Sequence, residues 1–535
     1  MGALTAFLRS LNWYSVTLFA SLLIGAVLRF IGIAFDLPLI THPDEPKIID
    51  AVVDMFARRS FEPHEFTWPG HIVIMAGYLS GTVYSYLALG MRPEAAIEVV
   101  GVEHWYLATR IAVALIGIAA IALAYAIGRH FSKGIGAVAA VLFAVYPTFV
   151  THSHYATTDM TLTTSVMLVI LFAIHYLKTP KLWFVIAMSF AVAVAIATKY
   201  PGLIAAGMIA IVVGIRAFQD RKPLRFFAHG AASLLALAIS IFVVSPKLVT
   251  ERGMVLRSVA NESRTDHTGA DGLGYVEKLG FYASDFFSGE TWLLAIPFVV
   301  GLFALVRSRD VTAVPLFTGV LFWLSLSALG LHWPRWGLPM FITPLLVSSV
   351  GIDYLFRAAP RWLKQWPRLV RGSLWGLSVL IITNFGVTSL AGSFSFLATD
   401  TRQVAAHEFE RLGITEANSV FEGYTVHAPN FPKRIFNRFD QTETALTPVS
   451  DATEYAVTSS AMVGRYINNP DFPERQQFYR LLQQQYPVIA EFKPRQFGGS
   501  SLNPLINIPQ RIVSIVADVQ GETVKGPTIT VYRVR

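Results

Sequence analysis

The amino-acid sequence predicts a mainly α, polytopic helical membrane protein that ends in a small α/β domain. Three observations lead there. Hydrophobic residues fill 53% of the 535 positions and charged residues only 15%, with a mean hydropathy of +0.50. Apolar runs of about 20 residues, the length a helix needs to cross a bilayer, recur as far as Gly392. Beyond Gly392 the composition turns polar and mixed, Gln-rich near Leu481 to Gln485 and broken by several prolines. The chain has no cysteine, which excludes disulfides, thiolate metal sites and cysteine nucleophiles. Its formal charge of +8 sits largely in short loops, so no nucleic-acid partner is needed to account for it.

The first apolar segment, Leu11 to Phe35, lacks a small-residue cleavage site and exceeds a signal-peptide core, so it reads as a retained span. Further spans begin near Trp105, Gly134, Asp159, Leu182, Pro201, Phe227, Trp292, Val311, Gly337 and Gly372. Basic residues fall in alternate loops: Arg9; Arg129 and Lys133; Lys178 and Lys181; Arg216, Arg221, Lys222 and Arg225; Arg307 and Arg309; Arg357, Arg361, Lys364, Arg368 and Arg371. The positive-inside rule makes those loops cytoplasmic, while the intervening short loops hold only Lys199 and Arg335. The stretch from His71 to Gly90 is apolar enough to span, yet as a span it would invert every later loop. It is therefore expected to lie in or re-enter the outer interface, a position suited to Tyr78, Ser80, Gly81 and Tyr84. The expectation is about eleven transmembrane helices in an inner (plasma) membrane, with the N-terminus cytoplasmic and the C-terminal domain extracytoplasmic.

Two domains follow: residues 1–394, with extracytoplasmic loops 36–104 and 247–290, and residues 395–535, a soluble extracytoplasmic α/β unit of ordinary domain size. Strand-like runs occur at Ser419 to Val426, Glu454 to Ser459, Pro487 to Phe492 and Thr528 to Val534. Helical patterns occur at Thr401 to Leu412 and Glu474 to Gln485.

The residues with candidate chemistry collect on the outer side. Asp44 and Glu45 open the first loop in His42-Pro43-Asp44-Glu45-Pro46; His152, His154 and Asp159 follow the third span. Lys199 caps the turn Thr198-Lys199-Tyr200-Pro201-Gly202, and His332 and Arg335 lie in His332-Trp333-Pro334-Arg335-Trp336. Cations and carboxylates converging at one membrane face fit a site that holds an anionic lipid headgroup and performs acid/base work. Each residue also has a plainer reading. Asp44 would cap a helix from Glu45 to Arg58, and Asp159 the span it opens. Lys199 would snorkel to headgroups, as would Arg29 and Arg110 unless they pair with a carboxylate, and His332 would join an interfacial aromatic belt with Trp333 and Trp336. On a helix Glu45 points about 100° away from Asp44, which favours orienting the loop over direct chemistry.

In this order and on one side, the acidic pair, the Asp after the third span, the Thr-Lys turn and the His-x-x-Arg-aromatic turn resemble the GT-C fold membrane glycosyltransferases. The branch resembled contains the protein O-mannosyltransferases and the lipid A aminoarabinose transferase (glycosyltransferase family 39/83-like). Phe66-Thr67-Trp68-Pro69 is similar to that branch's first loop, and the closing Gly526-Pro527-Thr528-Ile529-Thr530-Val531-Tyr532-Arg533-Val534 to the end of many bacterial members. The resemblance implies inverting transfer of a sugar from a polyprenyl-phosphate donor to a hydroxyl of an envelope acceptor: a protein, lipid A or a polysaccharide. It implies Asp44 as general base, with Glu45 and Asp159 as further catalytic carboxylates, and Lys199, Arg335 and His332 around the donor phosphate. Asp266 and His267, in the glycine-punctuated loop Arg264 to Gly274, are expected as acceptor or lid contacts; Glu62, His64 and Glu65 are weaker candidates.

The sequence calls for no particular cofactor. A divalent metal has weak support: His152, His154 and Asp159 offer ligand types, but at a spacing that matches no tight template. The alternative is a polytopic secondary transporter or a lipid-linked saccharide binding protein. A transporter would show paired repeats and midplane charges, whereas here no repeat is found and the charges gather at one surface.

Overall fold

Helices account for most of the chain. The computed structural model describes residues 12–63, 70–261, 272–287, 289–362, 365–427, 429 and 434–535. Among them, eight helices are long and apolar enough to cross a membrane: Trp13–Phe30, Glu103–Arg129, Thr158–Lys178, Tyr200–Gln219, Pro223–Val244, Thr291–Ser308, Pro334–Arg361 and Pro367–Ser395. Three shorter apolar helices, Lys133–Val145, Leu182–Thr198 and Val311–Leu326, complete the expected eleven segments. The first of these stops early because Pro147 cannot continue it and instead opens the short helix Pro147–His152.

Thr158–Lys178 and Pro334–Arg361 form the centre, each 78% buried over its apolar window, whereas Pro223–Val244 is only 6% buried and lies at the rim. Without a hydrophobic drive between helices in lipid, close packing depends on small residues. The pair Ala295–Ser308 and Leu338–Trp362 meets through Gly301 and Gly351; a Cβ at Gly351 would lie 1.8 Å from the Pro297 carbonyl oxygen.

The helix His71–Ala88 passes the length test for a span, but its two ends sit at the same end of the bundle. The Gly70 amide donates to the Thr198 carbonyl at 3.0 Å, and Tyr84 meets the ring of His104, at the start of Glu103–Arg129. After Ala88 the chain bends by 77° into Pro93–Val99. Gly77 and Gly81 let the helix lie close against Thr109 and Trp105.

The C-terminal region builds a four-stranded sheet in the order Ser419–Phe421, Tyr455–Ser459, Ile529–Arg533, Val488–Phe492; the first pair is parallel and the others antiparallel. Side chains alternate across the sheet: Ile529 and Val531 pack with Phe409 on one face, and Tyr532 with Phe478, Tyr479 and Leu482 on the other. The flanking helix Thr401–Leu412 starts with a capping box between Asp400 and Gln403.

Two features depart from a domain set apart from the bundle. Strand Thr399–Asp400 pairs with Val524–Lys525 directly beside the first loop. The helix Pro504–Val519, expected from no sequence pattern above, leaves the domain and packs along the last span, where the Asn507 amide donates to Asn384 Oδ1 at 3.0 Å and to Thr388 Oγ1 at 3.2 Å.

Candidate active site

Asp44 occupies the N-cap position of Glu45–Arg58, with Pro46 in the first turn, yet its side chain makes no capping bond. It forms an ion pair with Arg335 instead. The guanidinium is held by the turn around Pro334–Gly337, whose proline starts a single 3₁₀ turn after the extended Trp333.

A second ion pair lies beside the first. Lys199 Nζ donates to Asp159 Oδ1 at 2.7 Å and sits 5.5 Å from the ring centroid of Trp336, the neighbour of Arg335. Lys199 is placed by its turn: its amide bonds to Ala195 and its carbonyl accepts from Gly202. Only glycine fits at 202, where a Cβ would lie 2.2 Å from the Ala195 carbonyl carbon. Asp159 is in the first turn of Thr158–Lys178, and the N-cap there is Thr157. The side chains of Asp44 and Arg335 are 17% and 32% exposed, those of Asp159 and Lys199 6% and 18%, so the first pair is the more open to an entering ligand.

Glu45 behaves differently from its neighbour. It is fully buried and takes a bidentate contact from Arg110, at 2.8 Å from Nε and 2.7 Å from Nη2, plus the Ala156 amide at 2.8 Å. Burial alone would raise the Glu45 carboxyl, but the Arg110 charge and hydrogen bonds outweigh it and hold the group below the usual carboxylate range. Arg110 also donates to the carbonyls of Ile33 and Phe35 and lies over the Phe35 ring. Glu45, grouped above with the catalytic carboxylates, is thus enclosed and serves to lock the helix carrying Asp44 against Glu103–Arg129. Neither intramembrane arginine snorkels: Arg29 is also buried, donating to Ser153 and to the carbonyls of Gly25, Ala144 and Phe143.

Histidines surround the pairs. The Asp44 amide donates to His42 Nδ1 at 3.3 Å, which leaves the proton of a neutral ring on Nε2. Burial lowers the His42 pKa against the pull of Glu45 and Asp44, and pushes that of His152 down to about 4 against the pull of Asp159. His154 does not join His152 and Asp159. Its two ring nitrogens each lie 2.9 Å from a backbone carbonyl oxygen, of Val150 and Ile31, and its ring stacks on Phe396. No metal-holding group of three or more acidic or histidine residues occurs among the described residues. His332, expected at the donor phosphate, is buried and edge-on to Phe281 at 4.6 Å, which gives a phosphate little access to its ring. Asp266, His267, His64, Glu65 and the Phe66-Thr67-Trp68-Pro69 motif lie outside the described residues.

Sequence reasoning missed the grip on the loop that leads to Asp44. Asp36, at a left-handed φ of 59°, accepts from Thr41 at 2.6 Å and pairs with Lys525 at 3.0 Å. Arg402, paired with Asp400, donates to the Thr41 carbonyl at 3.4 Å. A lone Asp after an apolar span and a lone Lys before the final Gly-Pro were the available signals, and they stand at opposite ends of the chain.

Residues 94–249 match the family model described as dolichyl-phosphate-mannose-protein mannosyltransferase. That stretch contains Arg110, Asp159 and Lys199 but not Asp44 or Arg335. No curated protein sequence matches the chain. Among solved structures, it is similar to ArnT from Cupriavidus metallidurans bound to undecaprenyl phosphate, with a TM-score of 0.50 and 14% identity over 89% of this chain and 96% of that one. It is also similar to the Archaeoglobus fulgidus oligosaccharyltransferase in complex with Zn and sulfate, with a TM-score of 0.50 and 12% identity over 94% of this chain and 76% of that one. The helical membrane bundle with its C-terminal α/β region is the GT-C fold, and the chain is a GT-C fold protein.

Proposed function

We propose that the chain is an inverting glycosyltransferase that moves a sugar from a polyprenyl-phosphate donor to a hydroxyl of an envelope acceptor on the outer face of the membrane. The observation that carries this reading is the adjacency of Arg335–Asp44 and Lys199–Asp159 at the end of the bundle that also bears the C-terminal domain. The similarity in fold to ArnT, solved with undecaprenyl phosphate, supports a lipid-borne donor, and the matched family model supports sugar transfer.

In the proposed step the acceptor oxygen attacks the anomeric carbon from the face opposite the phosphate. The new C–O bond forms as the bond to the phosphate oxygen breaks, the hydroxyl proton passes to Asp44, and polyprenyl phosphate departs with one more negative charge. That charge develops where Arg335 and Lys199 can meet it, so their attraction is greater in the transition state than in the ground state. Arg335 has a second consequence. In the free protein it covers Asp44, and an arriving phosphate competes for the guanidinium and releases the carboxylate to act as base.

The test is turnover of radiolabelled polyprenyl-phosphate sugars with a membrane extract as acceptor source. Asp44→Asn is expected to retain donor binding while losing about 10²–10⁴-fold in turnover. Lys199→Met is expected to weaken donor binding roughly 10- to 100-fold, the worth of one charged hydrogen bond. Undiminished turnover by Asp44→Asn would remove the base assignment, and consumption of no donor in the panel would remove the enzyme reading.

A further inference from the structure

The helix Pro504–Val519 has its polarity inside out for a soluble domain. Its inward side carries Asn507, Gln510, Ser514 and Asp518, while Leu505, Ile506, Ile512, Val513, Val516 and Val519 are all largely exposed. These recur at helical spacing on one face, and an apolar stripe of that kind normally faces a core. Left in water it would form a contiguous apolar patch.

The surroundings place that face. Arg495 and Val524 bond to each other through both backbone groups, so residues 496–523 leave the sheet and return to the same point. The outgoing segment lies along the helix, with Gly498 against the Gln510 carbonyl and the Phe497 carbonyl accepting from Ser514. At the far tip, Trp292 at the start of the span Thr291–Ser308 donates to the Leu502 carbonyl at 2.7 Å. The depth follows from the last span. Ser393 donates to the Leu28 carbonyl of the first span, at the level where Val27 is exposed on the outside of the bundle. Asn507 bonds to Asn384 and Thr388, one to three turns further in along the same helix. Asn384 is about 16 Å below the helix end at Ser395, at 1.5 Å per residue. The outward face of Pro504–Val519 is therefore continuous with the exterior of the membrane spans.

We propose that this helix is embedded in the lipid of the leaflet on the site side, with its apolar face against acyl chains, and that it anchors the C-terminal domain to the bilayer. Of its inward polar groups, Asn507 bonds to the last span and Ser514 to its own outgoing segment, so both are directed away from the lipid.

The chain lacks cysteine, so single-cysteine variants of the full-length protein can be spin-labelled in nanodiscs without further changes. Ile506→Cys and Val513→Cys are compared with Leu23→Cys, on the exposed face of the first span, and Arg411→Cys, on the polar surface of the C-terminal domain. The expected result is collision with oxygen exceeding collision with a water-soluble nickel chelate at Ile506 and Val513, as at Leu23, with Ile506 deeper than Val513. A nickel-dominated ratio like that of Arg411 would place the face in water and overturn the proposal. Low accessibility to both reagents would show it covered by protein, a second copy included, and would overturn it equally.

Discussion

Adjacent carboxylates in this chain have opposite fates because of the groups across from them. Asp44 faces an accessible arginine, whereas Glu45 faces a buried one with which it shares two hydrogen bonds. Removing one partner of a buried ion pair leaves the other charge stranded, which costs about 3–5 kcal/mol. Glu45→Gln should accordingly lower thermal stability by that amount, read as a drop in melting temperature of the purified protein, whereas Asp44→Asn should leave stability nearly unchanged. A Glu45→Gln protein with native stability and no turnover would reverse the roles assigned to the pair. The sequence made Asp44, Asp159, Lys199 and Arg335 legible, since isolated charges at the ends of apolar runs demand a reason. It could not pair them, because each partner comes from a distant helix. Arg110 shows the limit: in isolation it reads as a snorkelling residue, and only the fold places Glu45 opposite it.

At the scale of elements, the spans and the four strands of the main sheet were legible because each carries its own run of apolar residues, whereas the two-residue strands Thr399–Asp400 and Val524–Lys525 are too short to show one. Helix Thr401–Leu412 ends where its pattern does, at a left-handed Gly413. Pro504–Val519 was not legible: at 16 residues, with an internal Pro509, it falls short of a span and sits within a polar stretch. Nor could a sequence reveal how strand Tyr455–Ser459 is fastened to its neighbours. Glu422, fully buried, accepts from the Ser459 amide at 3.0 Å and from the Tyr479 hydroxyl, so one carboxyl joins a strand to helix Pro473–Gln485. Burial pushes its pKa up to about 8, against the hydrogen bonds from Tyr479 and Ser459. In the unfolded chain the group ionises near 4.5. The folded form therefore holds the proton more tightly, its stabilisation is complete below about pH 4.5 and drains away as pH rises through 8, and the span amounts to several kcal/mol. Hydrogen exchange at Tyr455–Ser459 in the full-length protein, corrected for intrinsic rates, should show easier opening at pH 8.5 than at pH 5.5. Glu422→Gln, which mimics the protonated acid, should remove that dependence. Equal protection at both pH values in the unaltered protein would count against a neutral Glu422.

For the whole molecule, the question is why a domain from the end of the chain should matter to a site built from the beginning. The loop from Asp36 to Pro43 must hold Asp44 at the bundle surface, and it spans too few residues to pack a core of its own. The C-terminal domain supplies the missing contacts: Lys525 to Asp36, Gln403 to the Asp36 carbonyl, and Arg402 to the Thr41 carbonyl. Lys525 also donates to the Phe396 carbonyl, so it ties the loop to the end of the last span at the same time. Burial lowers the Lys525 pKa, and the Asp36 carboxylate opposes that shift and helps keep the ammonium charged. Lys525→Met keeps the length and apolar stem while deleting the charge, and it leaves Asp36 buried without its cation. The expected outcome is faster hydrogen exchange across residues 36–44 and a fall in kcat with donor affinity retained, because Lys199 is carried by a separate turn that Lys525 does not touch. Placing Asp44 loosely by about an ångström is sufficient to cost on the order of 100-fold in rate. The double variant Asp36→Asn with Lys525→Met removes both charges together and should recover part of the lost protection without restoring the rate. If Lys525→Met instead weakened donor binding and left kcat intact, the domain would be acting on the lipid side of the site rather than on the carboxylate.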